Sequence, residues 1–209
     1  MRIRITFSKN GPMQYVGHLD LQRSWERAFR RSGLPLEYSQ GFHPQPKLNL
    51  ACALPVGFTS QCELLDARLG QDLPLGEVQQ VITAALPPGL HVMEVTNVEE
   101  HAPALQTQVV SAVYLVTFLD DIPDLLERMQ KIEDALAIPR IRHDKAYDLR
   151  PLIETMTPVP LDSGAQVGLR VQMATREGAT GRPEELLDEM GIRFADTHVH
   201  REQLILTAS

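Results

Sequence analysis

The chain has 209 residues, 43% of them hydrophobic and 22% charged, a globular composition that excludes a collagen-like, low-complexity or disordered chain. Its net charge of −7 argues against indiscriminate nucleic-acid binding, yet residues 1–50 hold eight Lys/Arg against three Asp/Glu, which permits a focused anion site near the N-terminus. Cys52 and Cys62 are too few for a disulfide scaffold, zinc ribbon or iron–sulfur triad, and with no secretory signal and no apolar run near about 18 residues a cytoplasmic location is expected.

The first segment alternates Ile3, Ile5 and Phe7 with Arg2, Arg4 and Thr6, the period of a half-buried strand. In "HLDLQRSWERAFRRSG" Leu21, Trp25, Ala28 and Phe29 recur at helical spacing, and Gly33 and Pro35 stop the run. A loop, "YSQGFHPQPK", follows at residues 38–47. "KLNLACALPVG" and "CELLDARL" read as two strands joined through the turn-prone stretch from Pro55 to Ser60. A second helix is predicted in "PLGEVQQVITAAL", with Pro74 in its first turn, and "LHVMEVTNV" is another strand.

Residues 99–108 are polar, contain Pro103 and lack a period, so a linker is placed there, with domains over 1–100 and 107–209. The order then begins again. "VVSAVYLVTF" is a strand, and the run from Asp121 to Leu136 puts Ile122, Leu125, Leu126, Met129, Ile132 and Leu136 on one helical face. Strand-like pieces around "IPRIR" and "AYDLRPLIETM" precede "QVGLRVQMA", with Val167, Leu169, Val171 and Met173 facing inward. A short helix, "RPEELLDEM", stops at Gly191, and a last strand begins near Asp196. The class predicted is α+β, two tandem ferredoxin-like β-α-β-β-α-β halves, with no residue-level repeat between them.

Arg23, Arg27, Arg30 and Arg31 fall at i, i+4, i+7 and i+8 on the helix side opposite Trp25 and Phe29, with only Asp20 and Glu26 nearby to balance them. A guanidinium fork matches phosphate or carboxylate, so an anionic partner is expected, although a solvated charged face has the same pattern. In the adjacent loop Pro44 and Pro46 limit the backbone, and Gly41 permits a sharp turn or a close approach. Tyr38, Phe42 and His43 are suited to stack on a base, and Ser39 and Lys47 to meet phosphate oxygens; the alternative is a stiff connection with Phe42 buried. His18 and His43 are candidates for a general acid and base in metal-independent RNA cleavage. Arg140, Arg142, His143, Lys145 and Arg150 form a second basic cluster in an otherwise acidic half, for which a solvated hairpin is the plainer reading. His198 and His200 share a strand face without an evident third ligand, and "EGATGRPEE" runs into a helix N-terminus without a phosphate-loop lysine, so no metal and no cofactor is expected.

Over "YVGHLDL", "RAFRRSGLP", "YSQGFHPQPK" and "LPVG", within residues 15–57, the sequence resembles the bacterial radical-SAM-linked family of unknown function, with weaker likeness at "DLRP" and "GRPEELL". Gly17 stands where members of that family often carry serine. The family's members occur free-standing beside, or fused behind, a radical SAM protein, and their genes tend to lie near ribonuclease G and ribosomal-protein genes. The resemblance implies a radical SAM partner and a place in tRNA or rRNA metabolism. The plan of tandem ferredoxin-like halves is also similar to RAMP-type RNA-binding proteins, a fold analogy that does not carry function. The leading expectation is a non-catalytic RNA-binding or substrate-presenting partner of a radical SAM enzyme; an endoribonuclease using His18 and His43 and a protein-only adaptor remain open. RNA contacts are expected at Arg23, Arg27, Arg30, Arg31, Ser39, Gly41, Phe42, His43, Lys47, Arg142, Lys145 and Arg150.

Overall fold

The alternation at the N-terminus becomes β1 (Arg2–Lys9), with Ile3, Ile5 and Phe7 fully buried on one face. The structure is a computed structural model and describes residues 1–142, 144–161, 167–176 and 178–207. It is a mixed α+β fold with mostly antiparallel strands, divided into two compact units, Met1–Val109 and Val110–Ser209.

In the first unit β1 leads through a 3-10 turn to α1 (His18–Ser32), which ends at Gly33 in the left-handed conformation, φ +73°. Leu21, Trp25, Ala28 and Phe29 are its buried stripe, and Trp25 meets the Phe7 ring edge-on at 4.8 Å. β2 (Leu48–Leu50), β3 (Thr59–Arg68), α2 (Leu75–Ala84) and β4 (Leu90–Val98) follow. β3 and β4 flank β1, and β2 pairs with the far side of β3, giving the antiparallel order β4-β1-β3-β2. One core joins α1 and α2 to this sheet, with Trp25, Phe29, Val78 and Ile82 against Ile3, Ile5, Leu65 and Ala67.

Three expectations need correction here. The strand expected over "KLNLACALPVG" is only three residues long, because Pro55 and Gly57 (φ +91°) turn the chain so that the Gly57 N–H reaches the Gln14 carbonyl. Pro74 sits one position outside α2 as its N-cap, where its carbonyl accepts from Glu77 and Val78. Residues 99–108, read as a linker, lie on the first unit's sheet and end in a short helix, α3 (Leu105–Gln108), whose Leu105 is buried.

The second unit comprises β5 (Val109–Phe118), α4 (Leu125–Asp134), β6 (Pro139–Arg142), β7 (Lys145–Asp148), β8 (Ile153–Pro160), β9 (Val167–Arg176), β10 (Ala179–Thr180), α5 (Pro183–Glu189) and β11 (Thr197–Leu206). Its sheet runs β11-β5-β9, with β8 and β10 on the free side of β9. α4 is shorter than the predicted run because Pro123 holds off its start, and Leu126 and Leu136 are exposed while Leu125, Met129 and Ile132 are buried. Leu169, Val171 and Met173 face inward as expected, whereas Val167 at the strand end is 44% exposed. "IPRIR" and the start of "AYDLR" form a separate two-stranded hairpin, β6–β7. Among the described residues no helix is long and apolar enough to cross a membrane.

Candidate nucleic-acid interface

The buried stripe of α1 turns its arginines away from the core, and the structure sorts them by what else they touch. Arg23 pairs with Asp20 at 3.0 Å, and Arg31 donates to the Ala85 carbonyl at the end of α2, so it joins the two helices. Arg27 and Arg30 are exposed and have no hydrogen bond or ion pair among the described residues. Two of the four guanidinium groups therefore remain available.

After α1 the chain passes Gly33 and Leu36, and the loop at 38–47 closes on itself. Tyr38 bridges Pro46, the Ser39 N–H donates to the Gln45 carbonyl at 2.8 Å, and the Gln45 N–H donates back to Ser39 Oγ at 2.9 Å. Gly41 turns the tip at φ +126°, a conformation that strongly favours glycine. This frame projects Phe42, which is 102% exposed, with Tyr38, His43 and Pro44 also at the surface. The reading with Phe42 buried does not hold. At the loop's base Lys47 Nζ contacts Glu37 at 2.8 Å, and that hydrogen bond holds the Glu37 carboxyl below its ordinary range.

The predicted residues do not share one concave surface. α1 covers the face of the sheet that carries Ile3, Ile5 and Ala67, while Lys47 joins Arg2 and Arg68 on the opposite face. The loop stands between the end of α1 and the start of β2, and its base lines the cleft on that opposite face. His18 is the first residue of α1, and His43 lies in the exposed loop that follows α1.

The second basic cluster is largely consumed by structure. Arg142 forms a bidentate pair with Glu185, at 3.2 and 2.6 Å, and lies over the Tyr147 ring at 4.8 Å; Arg140 meets Glu189 at 2.7 Å. These contacts tie the β6–β7 hairpin to α5. Tyr147 donates to Glu185, and burial followed by that acceptor pushes its phenol up to about 12. Arg150 donates to the Glu133 and Ile153 carbonyls, while Lys145 is exposed without a partner among the described residues. His143 and the first residue of "EGATGRPEE", Glu177, lie outside the described residues. On β11 His198 is exposed and His200 half-buried, and no group of three His, Cys, Asp or Glu among the described residues is placed to hold a metal ion.

A cleft of about 430 Å³ in the first unit escaped the sequence reading. Its floor is the sheet face opposite α1, one wall is the loop base from Ser39 to Lys47, and the other is Ala102–Leu105. Arg2 builds that second wall: its guanidinium donates to the Ala102 and Pro103 carbonyls at 2.6 and 2.8 Å and to Asp66 at 2.8 Å. Asp66, 3% exposed, also receives Arg4 at 2.7 Å. The sequence signal was the polar half of the β1 alternation together with the alternation of Asp66 and Arg68 in β3, which becomes legible only once the two strands are in register.

Residues 2–183 match the family described as an uncharacterized protein conserved in bacteria (DUF2344), and the chain belongs to that family. No curated protein matches the sequence. Among solved structures it is similar to a chain in "Crystal Structure of a Cbf5-Nop10-Gar1 Complex", at 12% identity and a TM-score of 0.49, over 97% of this chain and 48% of that one. The present chain thus spans about half the length of that structural relative.

Proposed function

We propose that this protein is a non-catalytic RNA-binding module that presents single-stranded RNA to an enzyme acting on it. The observation that carries the reading is the presence of two exposed arginines on α1, Arg27 and Arg30, without a partner among the described residues, together with a braced loop that holds Phe42 fully in solvent. Arginine supplies the phosphate contacts, and an aromatic ring supplies a base platform tolerant of sequence. Tyr38 and His43 extend that platform. Both units are proposed to follow the ferredoxin-like plan, supported by the order β4-β1-β3-β2 in the first and β11-β5-β9-β8 in the second. The enzyme served is proposed to be a radical SAM protein, a reading that rests on the sequence resemblance at residues 15–57.

The test is fluorescence anisotropy with a labelled single-stranded oligoribonucleotide at about 50 mM salt, where phosphate contacts dominate affinity. Arg27→Glu with Arg30→Glu is expected to weaken binding by roughly tenfold or more. Unchanged affinity in that double variant would remove the proposal.

A further inference from the structure

We propose that the cleft opposite α1 is a second site, which takes a single nucleotide by its phosphate and polar edges. This deepens the RNA reading by naming the unit that is held, and it rests on side chains separate from Arg27 and Arg30.

The floor of the cleft is a grid set by strand register. Arg2 on β1 faces Arg68 on β3, and the Arg68 N–H donates to the Lys47 carbonyl, so Arg2, Arg68 and Lys47 form one row across three adjacent strands. The next row is Arg4, Asp66 and Asn49, paired in the same register. Like charges directly opposite one another on a sheet face repel, and the fold answers with one carboxylate for each position in the first row. Arg2 has Asp66, Lys47 has Glu37 and Arg68 has Glu100. Arg4 shares Asp66 with Arg2, so four cations stand against three carboxylates. The one cation in excess leaves the cleft net positive, as a phosphate group requires.

The spare donors lie where that group would sit. Lys47 spends one of three N–H bonds on Glu37, the Ser39 hydroxyl accepts from Gln45 and keeps its own proton to give, and the exposed Asn49 amide has no hydrogen bond among the described residues. An amide presents a donor and an acceptor together, the pattern that reads a base edge. The volume of about 430 Å³ lies within the range of small-ligand sites. The walls are fixed in advance: one is pinned by buried Arg2, the other by the paired Ser39 and Gln45.

The experiment uses the full chain, with AMP, inorganic phosphate and a short single-stranded oligouridylate as probes. Backbone amide shifts are followed by NMR, and affinities by calorimetry. AMP is expected to shift Ser39, Lys47 and Asn49 while leaving the Arg27 and Arg30 amides in place. Asn49→Ala and Lys47→Gln are both at exposed positions; the first should lower AMP affinity about five- to tenfold, the loss of a neutral hydrogen bond, and the second by roughly tenfold or more, the loss of one between charged groups. Binding of phosphate alone as tightly as AMP would overturn the nucleotide assignment, and shifts confined to α1, or variants that bind as well as the parent chain, would overturn the site. If the oligouridylate but not AMP shifts the cleft amides, the nucleotide belongs to an RNA strand; if AMP alone does, it is a free mononucleotide. Loss of RNA binding in the α1 double variant with an intact AMP response tests the earlier reading independently. An AMP response with no RNA binding by any variant would sink the RNA reading and leave the cleft standing.

Discussion

Phe42 is the residue whose placement asks most for a partner. Leaving a large apolar ring in water forgoes about 2 kcal/mol that burial would have supplied, and three hydrogen bonds at the loop's neck, Ser39 N–H to the Gln45 carbonyl, Gln45 N–H to Ser39 Oγ and Lys47 N–H to the Glu37 carbonyl, hold it there. A ring that touches nothing contributes nothing to folding, so Phe42→Ala is expected to leave the thermal midpoint within about 1 °C of the parent chain. The same change should cost roughly 1–3 kcal/mol in single-stranded RNA affinity, the usual worth of one stacked base. A melting curve and an anisotropy titration on the one variant separate the two roles; a large drop in midpoint with unchanged affinity would show that the ring is structural. Arg31 illustrates the opposite case. It reads in sequence as a member of the binding row, yet its acceptor, Ala85, is 54 residues away, and no local pattern announces that bond.

At the scale of elements, the β6–β7 hairpin shows how a basic stretch becomes a latch. Arg140, Arg142 and Tyr147 all meet carboxylates of α5. Because burial and Glu185 raise the Tyr147 phenol to about 12 from an ordinary value of 10, the folded chain keeps a proton that the unfolded chain gives up between those values. The contribution is therefore complete below pH 10 and is lost as pH rises through about 12. Absorbance titration of the ionising phenols is expected to show Tyr147→Phe removing a transition near pH 12; removal of one near pH 10 would mean that the latch is open in solution. The strong periodicities were legible in the sequence: β1, α1, α2 and the inward face of β9 follow their apolar spacing. Exposed Leu126 and Leu136 mark its limit, since a hydrophobic residue at helical spacing is buried only where a neighbouring element covers it. The hairpin and the wall at Ala102–Leu105 depend on contacts across tens of residues, which periodicity does not encode.

Across the whole molecule, a chain of net charge −7 whose first quarter holds eight Lys/Arg against three Asp/Glu should bind RNA through few phosphates, with a salt response in proportion to their number. For single strands the logarithmic slope is about −0.7 for each phosphate neutralised, so Arg27→Glu with Arg30→Glu should flatten it by about 1.4. Titrations from about 50 to 200 mM salt measure this, and a slope equal to that of the parent chain would place the contacts elsewhere. The clustering of positive charge was visible in the sequence; its division between two faces of one sheet was not, because the division follows from which strand residues point up and which point down.

Arg2 reaches across one hundred positions of sequence to find its acceptors, and that reach redraws the seam of the chain. Severing the backbone at 100, where composition suggests a border, would strand a buried guanidinium without the two carbonyls that quench it. The segment that looks like a tether is a hasp, and the natural place to part the halves lies beyond Gln108.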